Sequence, residues 1–516
     1  MNLSRGRRKA GTDNLEGADE AEKKLMKSDY KDGLMLNQGQ VIEDEKLKKV
    51  IPKNLFLKSI RNGKYLRYIS KGENADGLLQ YSSKNMVGPY SKFVLHGSKT
   101  KPGFFHIRCC YNNKFWVRLS EDSNYIAAKA NEEEDDTSKW SCTLFEPIIF
   151  APDRTELYYI RHVQLNTFLF MAEGDPSPYN DCLVAREEDM RTTDKDLVLS
   201  VVTDWDSIFV LPKYIAFKSN NDRYLEPYRK YLKFSASSVE DPVIVFEIIP
   251  MQDGYVRIKH VSSGKYWILD PNWICCESID INRDDPNTLF LPVKVDNNIV
   301  AFRNKGNGRF CKSLTIDGKT NCLNAADETI TKDARLEVKE IIVARSVEDV
   351  EYRVKDARVY GKKIHSVSKG VAINNTKVDD KVSMKFSYER VVERTWSSSM
   401  SSTFGIATRF NAMIPGVGRM KFELSMEASS ASARQETEKE KSMVETEETI
   451  TIPAMSKVKF SAVVTHAYCD VPFSYTRRDT LKDGRQVTHR FEDGLFTGVT
   501  TYDYKFETEK VESYSD

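Results

Sequence analysis

Apolar and polar residues alternate on two arms near residue 410, which predicts two amphipathic β-strands around a turn at 414–418. Because side chains point to opposite faces at successive strand positions, each arm has one apolar and one polar face. The apolar face holds Phe404, Ile406, Phe410, Ala412, Ile414, Met420, Phe422, Leu424 and Met426. The polar face holds Arg409, Asn411, Lys421, Glu423, Ser425 and Glu427.

The register of this hairpin is constrained, because the two apolar sets share a face only when paired positions sum to an even number. We predict Ile414 opposite Met420, which places Phe410 opposite Leu424. Each arm has about the length of a tilted membrane-spanning strand. The hairpin therefore either packs on its own domain or joins other copies in a closed barrel, since a lone hairpin has unpaired edges in hydrocarbon.

A hairpin-like unit recurs between residues 54 and 316. Each copy has an apolar strand, a turn rich in Asn and Gly, a basic residue and an aromatic residue, and the third copy is degenerate. The copies are LFLKSIRNGKYLRY, FHIRCCYNNKFWVRLS, LYYIRHVQLNTFLFM, YIAFKSNNDRYLEPY, YVRIKHVSSGKYWIL and IVAFRNKGNGRFCKSL. Six units predict two tandem β-trefoils of three units each, with a propeller or an irregular sandwich as the alternatives.

The sequence pattern changes after residue 343. The segments in which apolar and polar residues alternate become long and rich in Thr, Glu, Lys and Val. We predict an all-β chain: two tandem β-trefoils followed by an elongated antiparallel β module. The predicted divisions are a disordered polar arm over 1–48, trefoils over 49–203 and 204–343, and the C-terminal module over 344–516.

Charge and composition narrow the functional classes. The 77 basic and 76 acidic residues give a net charge of +1, so nucleic acid is not expected as a partner. No apolar secretory signal and no helix-length apolar run is visible, which predicts a cytoplasmic or nuclear chain. The nine cysteines lack C-x-x-C spacing, which favours reduced thiols over a metal site or disulfide framework.

No enzyme signature is found. The seven histidines form no H-E-x-x-H motif, and no G-x-S-x-G, Walker A or Rossmann fingerprint occurs. We therefore predict no catalytic residues, no metal and no cofactor.

The segments KYLRY, LLQYS, KFWVRLS, AKANEEEDDTSKWSCTLFEP, RHVQLNTF, DWDSIF and NCLNAADET resemble amaranthin-type agglutinins over about 52–342. That family consists of tandem β-trefoil lectins that associate head-to-tail as dimers. The resemblance implies binding of galactose and N-acetylgalactosamine glycans at the dimer contact.

The family's sugar loop maps onto residues 120–125. LSEDSNYI stands here in place of the family's WSPNHYW-like stretch, so this loop departs from the family pattern. Asp122, Asn124 and Tyr125 still offer a carboxylate, an amide and an aromatic face to a sugar. Trp273, after KYWILD, is the candidate on the partner side.

The segments ETITIPAMSKVKFSAVVTHAYCDVPFSYT and GLFTGV resemble the aerolysin-type pore-forming module. The hairpin near residue 410 stands where that family keeps its inserting segment. The resemblance implies a soluble protomer that oligomerises into a ring on a target membrane and inserts a shared β-barrel. The polar face of the hairpin would line its lumen.

The sequence thus predicts a lectin-toxin, with a role in plant defence implied by the family resemblance. Its partners would be glycans on glycoproteins or glycolipids, a target membrane and further copies of itself. The alternative is a soluble cytoplasmic or nuclear lectin for stress or storage, whose third domain only mediates oligomerisation. Actin bundling by the trefoils is a third possibility, but it leaves residues 344–516 without a role.

Overall fold

The computed structural model describes residues 51–70, 76–86, 88–151, 154–172, 178–186, 200–205, 210–279, 285–398, 408–413, 423–428, 435–482 and 484–513. The predicted disordered arm over 1–48 lies outside these residues. In the described part of the chain the secondary structure is β-strand and short 3-10 turns, which confirms the all-β prediction. The turns span Pro242–Ile244, Gln252–Gly254, Pro286–Thr288, Lys332–Ala334 and Val354–Asp356.

The first sheet is a β-trefoil. Its strands are β1 (Asn54–Ser59), β2 (Tyr65–Tyr68), β3 (Leu79–Ser83), β4 (Phe93–Gly97), β5 (Phe105–Cys109), β6 (Phe115–Ser120), β7 (Ser123–Ala130), β8 (Leu144–Ala151), β9 (Arg154–His162), β10 (Thr167–Met171), β11 (Leu183–Ala185) and β12 (Ser200–Asp204). Strands β1, β4, β5, β8, β9 and β12 pair in a closed ring, and β2–β3, β6–β7 and β10–β11 form three hairpins beside it. This is the predicted three-unit architecture.

The second sheet repeats the same topology. Its strands are β13 (Tyr214–Lys218), β14 (Tyr224–Tyr228), β15 (Tyr231–Ala236), β16 (Phe246–Pro250), β17 (Val256–His260), β18 (Tyr266–Asp270), β19 (Trp273–Ser278), β20 (Phe290–Lys294), β21 (Ile299–Asn304), β22 (Phe310–Ile316), β23 (Lys319–Asp327) and β24 (Leu336–Glu340). Here β13, β16, β17, β20, β21 and β24 close the ring. The second sheet is therefore a second trefoil.

Each trefoil has one apolar core centred on a tryptophan. Trp116 and Trp267 are both fully buried, and aromatic rings surround each of them. Phe93 and Phe145 meet Trp116 edge-on at 5.1 and 5.7 Å between ring centroids. Edge-to-face packing of this kind stabilises aromatic pairs beyond the contribution of their buried area. The position just after the recurring aromatic residue thus fills the trefoil cores; in the six copies it is Leu66, Trp116, Leu169, Leu225, Trp267 and Cys311.

An asparagine fixes the first turn in four of the six units. Asn62 accepts a backbone hydrogen bond from Lys64 at 3.0 Å and donates to the Tyr81 carbonyl at 3.0 Å. The same pair of bonds forms at Asn112, Asn221 and Asn307. Because an amide side chain both donates and accepts, one residue fixes the turn and ties it to the facing hairpin.

The third sheet contains the C-terminal module. Its strands are β25 (Ile342–Tyr352), β26 (Arg358–Asn374), β27 (Asp380–Ser398), β28 (Thr408–Met413), β29 (Glu423–Ala428), β30 (Gln435–Ile452), β31 (Ser456–Leu481) and β32 (Gln486–Ser513). The order is β29-β28-β25-β31-β32-β27-β30, with β26 also paired to β31. At about 3.3 Å per residue, the 28-residue β32 extends some 90 Å, so the predicted elongated module is present.

The hairpin β28–β29 forms, but the predicted register is wrong by two residues. Phe410 lies opposite Met426 instead of Leu424, and Ala412 opposite Leu424 instead of Phe422. Both registers have even sums, so parity alone does not choose between them. The observed register sets Arg409 opposite Glu427.

Candidate functional site

The predicted sugar loop is the tight turn between β6 and β7. Ser120 lies opposite Ser123, and Arg118 donates a 2.6 Å hydrogen bond to the Glu121 carbonyl within the turn. Asp122 and Asn124 are exposed on this turn. Their polar groups are therefore accessible to a ligand on a rigid two-stranded support.

Tyr125 is half-buried beside that turn. Its ring packs on Tyr179 with centroids 4.8 Å apart and an interplanar angle of 33°. Its backbone lies opposite Val184 in β11, so two hairpins of the trefoil meet here. Tyr125 thus contributes to packing and also leaves part of an aromatic face at the surface.

Tyr179 was not predicted as a site residue. It precedes β11 in a polar turn, SPYND, where its carbonyl accepts a hydrogen bond from Cys182. Gln80 of β3 donates a 2.8 Å bond to the neighbouring Asn180 carbonyl. The only sequence signal is an aromatic residue inside a polar turn, and the partner ring is 54 positions away in the chain.

Trp273 lies on a different sheet, in the second trefoil. It sits opposite Asp270 across the β18–β19 turn, where the first trefoil has Ser123 opposite Ser120. Trp273 is half-buried, and Tyr231 packs against it at 6.0 Å between ring centroids. The described chain therefore holds two separate candidate surfaces, one per trefoil, and Trp273 belongs to the second.

The module is attached to the first trefoil through buried polar contacts. Asp356 accepts hydrogen bonds from the phenols of Tyr68 and Tyr111, at 3.3 and 3.0 Å. Arg353 donates to the Tyr111 phenol at 2.6 Å and pairs with Glu492 at 3.0 Å. These contacts join the trefoil loops to the start of the long sheet.

A second contact between these domains centres on Arg358. Its guanidinium pairs with Asp470 at 3.3 Å and donates to the Asn131 carbonyl at 2.6 Å. Burial raises the pKa of the Asp470 carboxyl, while a hydrogen bond from Asn113 and the Arg358 charge oppose that rise. Burial also lowers the pKa of Arg358. Both charges are thus withdrawn from water and depend on each other.

The hairpin β28–β29 lies at the outer edge of the third sheet. It pairs in parallel with β25 over Arg345 to Val347, opposite Thr408 to Phe410. The side-chain positions of the predicted insertion and lumen residues are not part of the described structure. Those whose backbone lies outside it altogether are Phe404, Ile406, Ile414, Met420, Lys421 and Phe422.

The described residues offer little for a metal. Among them, no three His, Cys, Asp or Glu side chains are grouped as a metal site requires. Within the described residues, no helix is long and apolar enough to cross a membrane.

Two β-trefoils of the same topology, with polar and aromatic side chains at their hairpins, define the class as a tandem β-trefoil protein. Residues 49–203 and 209–343 each match the Agglutinin domain, which together is more than half of the chain. The chain belongs to the agglutinin family.

Similarity to solved structures is remote. A mosquitocidal holotoxin is 11% identical with a TM-score of 0.28, over 59% of this chain and 36% of its own. A lamprey immune protein is 11% identical with a TM-score of 0.25, over 58% of this chain and 91% of its own. The designed threefold protein ThreeFoil is 8% identical with a TM-score of 0.22, over 25% of this chain and 99% of its own. No curated protein matches the chain.

Proposed function

We propose that this lectin binds galactose and N-acetylgalactosamine glycans on a target surface and then opens a β-barrel pore through its C-terminal module. The observation that carries the proposal is the placement of the hairpin β28–β29. It is joined to β25 over three register pairs, whereas β27 and β30 pair continuously from Asp380 to Ser397. The hairpin is therefore the most easily released paired element of the described module.

The energetics favour insertion only for several copies together. Burial of a large apolar side chain in hydrocarbon contributes roughly 1.5–3 kcal/mol. Unpaired backbone groups at the two hairpin edges cost several kcal/mol each, and a closed barrel removes those edges. The proposed pore is therefore a homo-oligomeric ring with two strands per chain. Its lumen would be lined by the polar face that includes Arg409 and Glu427.

The glycan half of the proposal rests on the first trefoil. The side chains of Asp122 and Asn124 stand on a rigid turn and can form hydrogen bonds with sugar hydroxyl groups. Tyr125 supplies an aromatic face for a sugar ring. In a head-to-tail dimer, Trp273 of a second copy would complete the site. We place synthesis in the cytoplasm or nucleus, action on target membranes after release, and the biological role in plant defence.

A second candidate is a soluble lectin for stress or storage whose module only mediates oligomerisation. The observation that favours it is the buried contact around Arg358, because Asp470 and the Asn131 carbonyl fix the module to the first trefoil. A module held in this way suits a permanent structural role.

Dye release from liposomes that carry galactosyl glycolipids distinguishes the two candidates. We expect release by the full chain and none by Phe410→Asp/Leu424→Asp, because charges on the apolar face oppose insertion. The matched control, Asn411→Asp on the polar face, should retain release. Asn124→Ala should reduce binding to these liposomes. Intact glycolipid binding by the wild-type chain without any release would contradict the pore and favour the soluble lectin.

A further inference from the structure

Three tight turns of the second trefoil converge on one surface. Strand β15 meets β19 at Tyr231 and Cys275, and β19 meets β23 at Trp273 and Asn324. Their turns run from Tyr228 to Tyr231, Asp270 to Trp273, and Ile316 to Lys319. We call the surface formed by Tyr228, Tyr231, Lys233, Trp273 and Lys319 the basic cap.

Aromatic rings and amines alternate on the basic cap. The Lys319 ammonium lies 4.8 Å from the Trp273 ring centroid and 5.4 Å from that of Tyr231. The Lys233 ammonium lies 4.7 Å from the centroid of Tyr228, whose side chain is 45% exposed. Cation–π contacts of this kind hold the amines in place while leaving N–H donors for another partner.

The charge on the basic cap is only partly compensated. Lys230 pairs with Asp270 at 3.2 Å, and that contact raises the pKa of the lysine. Glu226 lies opposite Lys233, but its carboxylate accepts a hydrogen bond from Ser235. In the described part of the chain no carboxylate pairs with Lys233 or Lys319, although Asp317 shares a turn with the latter. A surplus of positive charge therefore remains.

The equivalent β6–β7 turn of the first trefoil carries the opposite charge. This turn is Ser120-Glu121-Asp122-Ser123, where the β18–β19 turn has Asp270-Pro271-Asn272-Trp273. Both Glu121 and Asp122 are exposed. Two carboxylates repel an anionic ligand, so the two trefoils of one chain differ in the charge that they accept.

We infer that the basic cap binds an anionic saccharide, a glycan with a carboxylate or sulfate group. The sugar ring would lie on the faces of Trp273 and Tyr231, as aromatic platforms suit the apolar face of a sugar. The acid group would accept charge-assisted hydrogen bonds from Lys319 and Lys233. This inference builds on the proposed glycan-binding role of the trefoils and does not require the pore. It applies to a Trp273 that is not completing the galactose site of another copy.

Titration of the full chain with lactose, 3′-sialyllactose and 3′-sulfolactose tests the inference. We expect both anionic sugars to bind more tightly than lactose and to weaken with added salt. The variant Lys233→Gln/Lys319→Gln should lose about tenfold affinity for the anionic sugars, equivalent to about 1.4 kcal/mol, and none for lactose. Both lysines are half-buried, and glutamine keeps part of the aliphatic stem that covers the rings, so this variant should fold normally.

The matched control is Lys259→Gln. The Lys259 ammonium lies 5.6 Å from the ring centroid of Tyr266, the first residue of β18. Lys259 therefore forms the same kind of cation–π pair, but at the end of β18 away from the basic cap. It should bind all three sugars like the wild type. Equal losses in the control and the double variant would overturn the inference, as would binding to anionic lipid vesicles without binding to either anionic sugar.

The galactose site is tested separately in the same titration. Asn124→Ala should weaken lactose binding and leave the anionic sugars unaffected. If the wild-type chain binds the anionic sugars tightly but does not bind lactose, the galactose site is refuted and the inference about the basic cap stands. If the wild-type chain binds lactose and shows no preference for the anionic sugars, the inference about the basic cap is refuted and the galactose site stands.

Discussion

His162 is a fully buried histidine in the first trefoil. Its Nδ1 accepts a hydrogen bond from the backbone of Leu165 at 3.3 Å, and its ring packs edge-on against Phe145 at 5.1 Å. Burial lowers the pKa of the imidazole from 6.5 to about 4, and the nearby Arg118 charge acts in the same direction. The folded protein therefore holds this histidine neutral.

This burial predicts acid-sensitive stability. Between pH 6.5 and about 4 the unfolded chain takes up a proton at His162 that the folded chain does not. The free energy of unfolding should fall as pH drops through that window, with up to about 3 kcal/mol from this one group.

Urea unfolding between pH 7 and 4 measures this effect. His162→Gln should show a smaller loss of stability than the wild type. The surface variant His365→Gln should lose as much as the wild type. Identical pH profiles for all three proteins would contradict a depressed pKa at His162.

The surface position of a predicted site residue follows from the sequence where the signal is local. Asp122 and Asn124 stand beside a recognisable strand end, and the structure places them exposed on a turn. Tyr179 and Tyr231 were missed because their partners, Tyr125 and Trp273, come from distant hairpins. Such contacts depend on the threefold convergence of the trefoil, which no short segment encodes.

At the scale of elements, the long strands of the module depend on close approach at glycines. Gly494 of β32 lies opposite Phe473 of β31, and a Cβ atom at Gly494 would lie 2.3 Å from the Phe473 ring. Phe473 is buried in the module core, so its ring has little room to move. Gly494 is therefore needed for packing of the paired strands.

We predict that Gly494→Ala destabilises the module by about 1–3 kcal/mol, the usual cost of overpacking a core. Calorimetry of the full chain should show one thermal unfolding transition with a lower midpoint temperature than in the wild type. The matched control is Gly97→Ala in β4, where a Cβ atom meets nothing within 4 Å. An unchanged transition for Gly494→Ala would show that Phe473 repacks without cost.

The repeat of strand, polar turn and strand was sufficient to predict two trefoils, because six similar hairpins leave few ways to bury their aromatic residues. The hairpin register was not, because parity permits any even sum. The parallel contact between β28 and β25 had no local signal either, since it joins residues more than sixty positions apart.

At the scale of the whole molecule, the first trefoil and the module share polar contacts that the sequence did not predict. Tyr90 donates to Glu492 at 2.6 Å, and the Gly361 amide donates to Glu132 at 2.8 Å. Glu132 begins an acidic run that looks like an ordinary solvated loop in sequence. The structure instead makes it part of the contact between the first trefoil and the long sheet.

In the proposed mechanism the hairpin β28–β29 leaves β25 to enter a membrane. Ser346 lies opposite Arg409 in this parallel pair, and neighbouring strands lie about 4.8 Å apart. That spacing falls within the range of about 4.4–6.8 Å between Cα atoms that a disulfide tolerates. A Ser346→Cys/Arg409→Cys variant should therefore tether the hairpin to β25.

Dye release by this variant, measured before and after reduction, tests the claim most directly. We predict no release while the disulfide is intact and release close to that of the wild type once a reductant opens it. The single variants Ser346→Cys and Arg409→Cys should release dye under both conditions. Full release by the oxidised, tethered protein would contradict the account, because the membrane would then be opened without the hairpin leaving β25.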